Sequence, residues 1–221
     1  MAKFATGLLT TAMFLVTLLF AGCKSSTTKD ASVMAAAPPA NAAPAVVAPP
    51  AEPPTVDVGI GVDQAYQAIP HRRTMWREDD SSVPAGEVPY LRAIFEVLDQ
   101  AVAVRVAAQQ NFANRSFDSP DIDGQYERLL SYARSMPVPS TLASYHSKVL
   151  EALAGERQYF ADWKSARDGF AFGRDVAGHP GVRKASADLR AAYGELMGKY
   201  PQESQNNKDA FFDYHCALDF L

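Results

Sequence analysis

From Val62 onward, apolar residues recur at spacings of three and four, and no stretch alternates with the period of two that marks a half-buried strand. That pattern predicts helices. A short one over Val62–Ile69 carries Val62, Ala65, Tyr66 and Ile69 on one face and stops before Pro70. A longer one over Pro89–Asn114 shows Leu91, Ile94, Phe95, Leu98, Val102 and Phe112. The third has Ser119 as its expected N-cap and Pro120 at its first position, then Ile122, Tyr126, Leu129, Ala133 and Met136 before Pro137. A fourth is expected from Ser140 to about Phe172, with Leu142, Val149, Leu153 and Phe160 on its apolar face. Gly178 and Pro180 introduce a fifth, striped by Val182, Ala185, Leu189, Tyr193, Leu196 and Tyr200 and ended by Pro201. Phe211, Phe212 and Leu218 belong to a last helix.

Short connections between long amphipathic helices favour antiparallel neighbours. The expected fold is therefore all-α: an antiparallel bundle of four main helices plus short extra ones, filling residues 62–221. No fixed repeat period supports a superhelical stack instead. The preceding stretch is of another kind. From Ala31 to Pro54, 17 of 24 residues are Ala or Pro, with almost no charge and no amphipathic period. Such a composition cannot bury a core and its prolines block helix propagation, so residues 23–61 read as a disordered tether with polyproline II character. Extended at ~3.1 Å per residue, it could hold the domain on the order of 100 Å from its attachment point.

Attachment is suggested at the other end. Lys3 supplies a positive start, and Gly7 to Phe20 (GLLTTAMFLVTLLF) an uncharged apolar run that is short for a membrane span, which needs about 20 apolar residues. The run ends in LFAGC, with small residues Ala21 and Gly22 before Cys23. This resembles the lipobox of bacterial lipoprotein precursors, although Phe20 stands where leucine is usual. The resemblance implies a signal peptide over residues 1–22, cleavage before Cys23, and acyl chains on that cysteine as the membrane partner. Acylation by more than one chain gives stable anchoring. Lys24 after the cysteine, by the same resemblance, favours the outer membrane facing the periplasm.

Residues 62–221 hold 18 Lys and Arg against 22 Asp and Glu with the signs interspersed. No basic face for nucleic acid results, so that partner class is set aside. With Cys23 acylated, Cys216 has no partner for a disulfide in the mature chain and reads as a small hydrophobe of the last helix. The chain contains no haem, zinc, phosphate-loop or serine-nucleophile motif, and His71, His146, His179 and His215 fall on different elements. No cofactor and no metal site is expected, and the protein reads as non-enzymatic.

Two features stand out as candidate binding residues. The segment AIPHRRTMWREDD, residues 68–80, carries His71, Arg72, Arg73 and Trp76, which could fork onto an anion and stack. Its alternative is an arm wrapping the bundle, with Trp76 in a groove and the arginines paired to carboxylates. At 100° per residue, Arg105 falls beside Leu98 and Val102, and Glu156 beside Leu153 and Phe160. Buried charges need partners, so an Arg105–Glu156 contact between helices could fix their register or line a polar pocket; the alternative is that both side chains snorkel from the edge of the apolar stripe to water. The leading functional expectation is an envelope interaction or accessory module with a protein partner. The alternative is a binding protein for a small amphipathic or lipidic ligand within the bundle.

Overall fold

The computed structural model describes residues 52–169 and 172–220. Cys23, the signal segment and the Ala/Pro stretch as far as residue 51 lie outside the described residues. Seven α-helices follow one another: α1 (Val62–Gln67), α2 (Val88–Ala113), α3 (Ile122–Ser135), α4 (Ala143–Ala166), α5 (Phe172–Gly178), α6 (Pro180–Lys199) and α7 (Gln205–Cys216). No strand occurs among the described residues. The four long helices α2, α3, α4 and α6 form the antiparallel bundle, and α1, α5 and α7 are the short additions.

α2 is central to the core. Every residue from Val97 to Ala108 is buried, so this helix has no solvent face over three turns. A helix apolar all round must be surrounded, and α1, α3, α4 and α7 all pack on it. Its start is held by polar contacts. Near the start, Glu87 accepts hydrogen bonds from the Tyr200 hydroxyl (2.6 Å) and the Thr141 hydroxyl, and pairs with Lys199 at 3.1 Å. Burial pushes the Glu87 carboxyl up, but these three donors outweigh it and hold it below the usual carboxylate range.

Two expected boundaries move, each for a local reason. α3 is capped by Asp121, whose carboxylate accepts from the Gly124 amide at 3.2 Å, and not by Ser119. Pro120 therefore precedes the helix, because the acidic side chain satisfies an amide left open in its first turn. α4 does not run on to Phe172 but ends at Ala166. There Arg167 turns the chain at φ 47°, stacked over the Phe117 ring at 5.2 Å and paired with Asp118 at 3.5 Å.

α4 and α6 make the closest helix pair, and two glycines explain it. A Cβ on Gly155 would stand 2.7 Å from the Gly181 carbonyl oxygen, and one on Gly181 would stand 2.9 Å from the Gly155 carbonyl oxygen. The two backbones are in contact, which only glycine allows on both sides.

The folded part also starts before residue 62. Val58 is 4 % exposed, and Val56 and Ile60 pack on the same core. The Val56 amide donates to Gln100 Oε1 and the Asp57 amide to Gln125 Oε1, both at 3.1 Å. Val56, Val58 and Ile60 thus turn inward at alternate positions although the chain bends at Gly59, φ 79°, a signal too short to separate from the proline-rich sequence before it. Deleting Ala31–Pro54 is expected to leave the thermal unfolding midpoint unchanged. Extending the deletion through Gly61 should cost about 2 kcal/mol, from lost apolar burial and two broken hydrogen bonds, and a melting comparison of the two deletions checks this.

Candidate functional site: a cleft beside Arg105

The segment linking α1 to α2 is an arm laid across the bundle, and its contacts come from residues far along the chain. Asp213 accepts from the Thr74 amide at 2.9 Å. Asn207, fully buried, accepts from the Arg77 amide and donates to the Arg77 and Asp80 carbonyls. Glu203 accepts from the Ser81 hydroxyl and the Ser82 amide at 2.5 and 2.8 Å. Trp76 lies half-buried, edge-on to Phe95 with ring centroids 5.5 Å apart. Arg73 pairs with Asp63 at 2.5 Å and with the buried Asp99, which also accepts from the Tyr66 hydroxyl at 2.9 Å. Burial pushes the Asp99 carboxyl above the usual range even though Arg73 and Tyr66 pull it down. Of the four arm residues expected to bind, Arg73 and Trp76 are thus committed to holding the arm, Arg72 is exposed, and His71 alone lines the cleft beside Arg105. The wrapping-arm alternative describes them, because each arginine or tryptophan that finds an internal partner is withdrawn from recognition.

Arg105 and Glu156 are both buried, at 8 % and 0 % exposure, but they do not form the expected ion pair. Glu156 Oε2 accepts from the Tyr126 hydroxyl at 2.8 Å, while Oε1 has no hydrogen-bond partner. Burial raises its pKa to about 8; the nearby Arg105 charge and the Tyr126 hydrogen bond lower it only in part, and Asp219 adds to the rise. Arg105 turns elsewhere: Nη1 donates to the Ala217 carbonyl at 3.1 Å, and the guanidinium lies over the Phe220 ring at 4.7 Å. Its Nε has no partner. Among the described residues no carboxylate lies within ion-pair distance of Arg105. The reason is geometric: the chain after α7 brings a backbone carbonyl and an aromatic ring to the guanidinium, and α3 brings a hydroxyl to the carboxyl.

Arg105 opens onto a cleft of about 410 Å³ between the arm, α6, α7 and the chain that follows it. Leu189, Tyr193, Phe212 and Phe220 wall it with apolar surface, Ile69 and Pro70 close one side, and His71 and Arg190 are also among its lining residues. The volume lies in the range of about 300–1,000 Å³ usual for small-molecule sites. His215, 2 % exposed, lines it too. Its Nδ1–H donates to the Phe211 carbonyl at 2.6 Å, which leaves Nε2 as an acceptor with no partner. Burial lowers its pKa to about 4, so the ring is neutral near pH 7. Cys216, half-buried at the end of α7, also lines the cleft; burial raises its thiol pKa, with Asp219 and Asp213 adding to the rise, which makes it a poor nucleophile.

Of the residues singled out from sequence, the cleft brings His71 and Arg105 together and excludes Arg72, Arg73, Trp76 and Glu156. Sequence reasoning missed Tyr193, Phe212, His215 and Phe220. One signal was present: in the Phe211–Phe212 pair both rings cannot face the core, and Phe211 is buried while Phe212 is 46 % exposed.

The other histidines are held singly: His146 Nδ1 lies 3.1 Å from the Tyr90 hydroxyl, and His179 Nε2 lies 3.0 Å from Asp162 Oδ2. Among the described residues no three His, Cys, Asp or Glu converge in a way that could hold a metal, and no helix is long and apolar enough to cross a membrane. Comparison with known protein families, with curated proteins and with solved structures gives no match to this chain, so its site rests on its own geometry.

Proposed function

We propose that this protein is a non-enzymatic binding module of the bacterial cell envelope, held to a membrane by acyl chains on Cys23, whose cleft takes up a small amphipathic molecule. One observation carries the binding reading: an apolar cleft of about 410 Å³ that has a nine-tenths buried arginine in its wall. A cavity with those features suits a ligand with an apolar body and a polar end. The membrane reading is supported by the LFAGC sequence and the apolar run before it. Its test is Cys23→Ser, which should convert a membrane-pelleting, detergent-dependent protein into one without acyl chains. Persistent acylation, or unchanged fractionation, would contradict the anchor.

A second reading, docking onto another envelope protein, is favoured by a separate observation. Met75 on the arm and Phe212 on α7 are 53 % and 46 % exposed, the large apolar side chains most open to solvent among the described residues. Proximity labelling in cells separates the readings: enrichment of one envelope protein, lost on Met75→Ser, supports docking.

A further inference from the structure

The cleft's polar end has a definite chemistry. Arg105 is a buried cation whose guanidinium is met by a backbone carbonyl and an aromatic face, while the buried Glu156 carboxyl bonds to Tyr126. A buried charge is stable when it is paired and hydrogen-bonded, and Arg105 retains an unpartnered Nε at the wall of a cavity. Arg190 adds positive charge among the lining residues, and Asp219, also lining the cleft and accepting from the Ser186 hydroxyl at 2.8 Å, offsets part of it. The charge left to be matched is about one negative unit. A cationic head would be repelled, and a phosphate monoester carries more negative charge than this cleft compensates.

We propose that the cleft's ligand is a single-headed amphipathic carboxylate, its carboxylate on Arg105 and its apolar body against Leu189, Tyr193, Phe212 and Phe220. This rests on the reading of the cleft as a binding site for an amphipathic molecule. An arginine fork matches a carboxylate in shape as well as charge, and the aromatic walls match an acyl chain or an aromatic ring system. No bond is made or broken.

The test is a calorimetric titration of the full chain in phospholipid nanodiscs, with protein-free nanodiscs as the blank, using four ten-carbon probes. Decanoate should bind at least about ten-fold more tightly than decanol, a difference of about 1.4 kcal/mol. It should also exceed decyl phosphate and decyltrimethylammonium. Arg105→Gln should remove the preference for decanoate over decanol while leaving decanol binding in place. Phe212→Ala, a change at a half-exposed side chain, should weaken decanoate and decanol alike and so place both in the cleft even if the Arg105 variant does not fold. Equal binding of decanoate and decanol, or tighter binding of decyl phosphate or the ammonium probe, overturns the carboxylate inference and leaves the amphiphile reading standing. Decanoate binding indifferent to Phe212→Ala overturns its placement in this cleft. No binding of any probe above the blank overturns both.

Discussion

Glu156→Gln is expected to make the protein more stable than its parent at pH 9 and no more stable at pH 5. The carboxyl has a folded-state pKa of about 8, against 4.5 for the free side chain. Between those values the folded chain keeps a proton that the unfolded chain has released. Stability therefore falls as pH rises through this window, by about 1.4 kcal/mol per pH unit. The contribution is fully present below pH 4.5 and lost by the time the pH has passed about 8, a change on the order of 5 kcal/mol. Arg105, Tyr126 and Asp219 face this group and set the balance: the first two favour ionisation, Asp219 opposes it, and burial outweighs the sum. Glutamine keeps an acceptor for the Tyr126 hydroxyl and does not titrate. Urea melts of both proteins at pH 5 and pH 9 measure the difference directly, with other titrating groups cancelling. A variant less stable than the parent at pH 9 would mean that an ionised Glu156 is held by Arg105 after all.

The second large effect is expected at the α4–α6 contact. Gly155→Val places a branched side chain where a single Cβ already stands 2.7 Å from the Gly181 carbonyl oxygen and 3.3 Å from Ala185 Cβ. The obstacle is backbone, so the helices must separate. Overpacking of this kind costs typically 1–3 kcal/mol, and the β-branched residue takes it to about 3 or more. For a domain of this size the midpoint should drop by roughly 6–12 °C. Gly155→Ala recovers up to about 1 kcal/mol through its better helix propensity and should fall between the two. Because α6 carries Leu189, Arg190 and Tyr193 of the cleft wall, displacing it should weaken decanoate binding as well. A melting midpoint unchanged by valine would contradict the backbone contact.

Periodicity made the helices legible because each of α2, α3, α4 and α6 has to bury a stripe, and a stripe repeats in the sequence. It also held a stronger signal: AVAVRVAA, residues 101–108, has no polar face apart from Arg105, and only a central helix can be built that way. Boundaries were less legible where one side chain decides them, as with the Asp121 carboxylate at α3 or the turn at Arg167. Projection at 100° put Arg105 and Glu156 inside correctly. It could not give their partners, because Ala217 and Tyr126 reach them through the packing of other helices. The cleft lay beyond sequence reasoning for the same reason. Its walls come from the arm, α6, α7 and the chain after it, joined only by folding.

The arm connects this geometry to the proposed tether. It follows α1 directly, and its Asn207, Asp213 and Glu203 anchors all lie on or next to α7, the helix that carries Phe212, His215 and Cys216. The arm is thus fastened to the cleft's own helix, while Val56 and Asp57, nearer the proposed membrane anchor, are tied to Gln100 and Gln125. That arrangement keeps Ile69, Pro70 and His71 in place as one wall, since the segment on either side of them is tied down.

The claim that the cleft holds a small amphipathic molecule is tested most directly by native mass spectrometry of the full-length protein extracted from the membranes of its own cells. The expected spectrum shows the mature chain from Cys23 with its acyl chains, plus a non-covalent small molecule that gentle activation releases and that Phe212→Ala diminishes. An acylated chain at its bare mass under the mildest conditions, together with a co-extracted protein partner unaffected by Phe212→Ala, would contradict it.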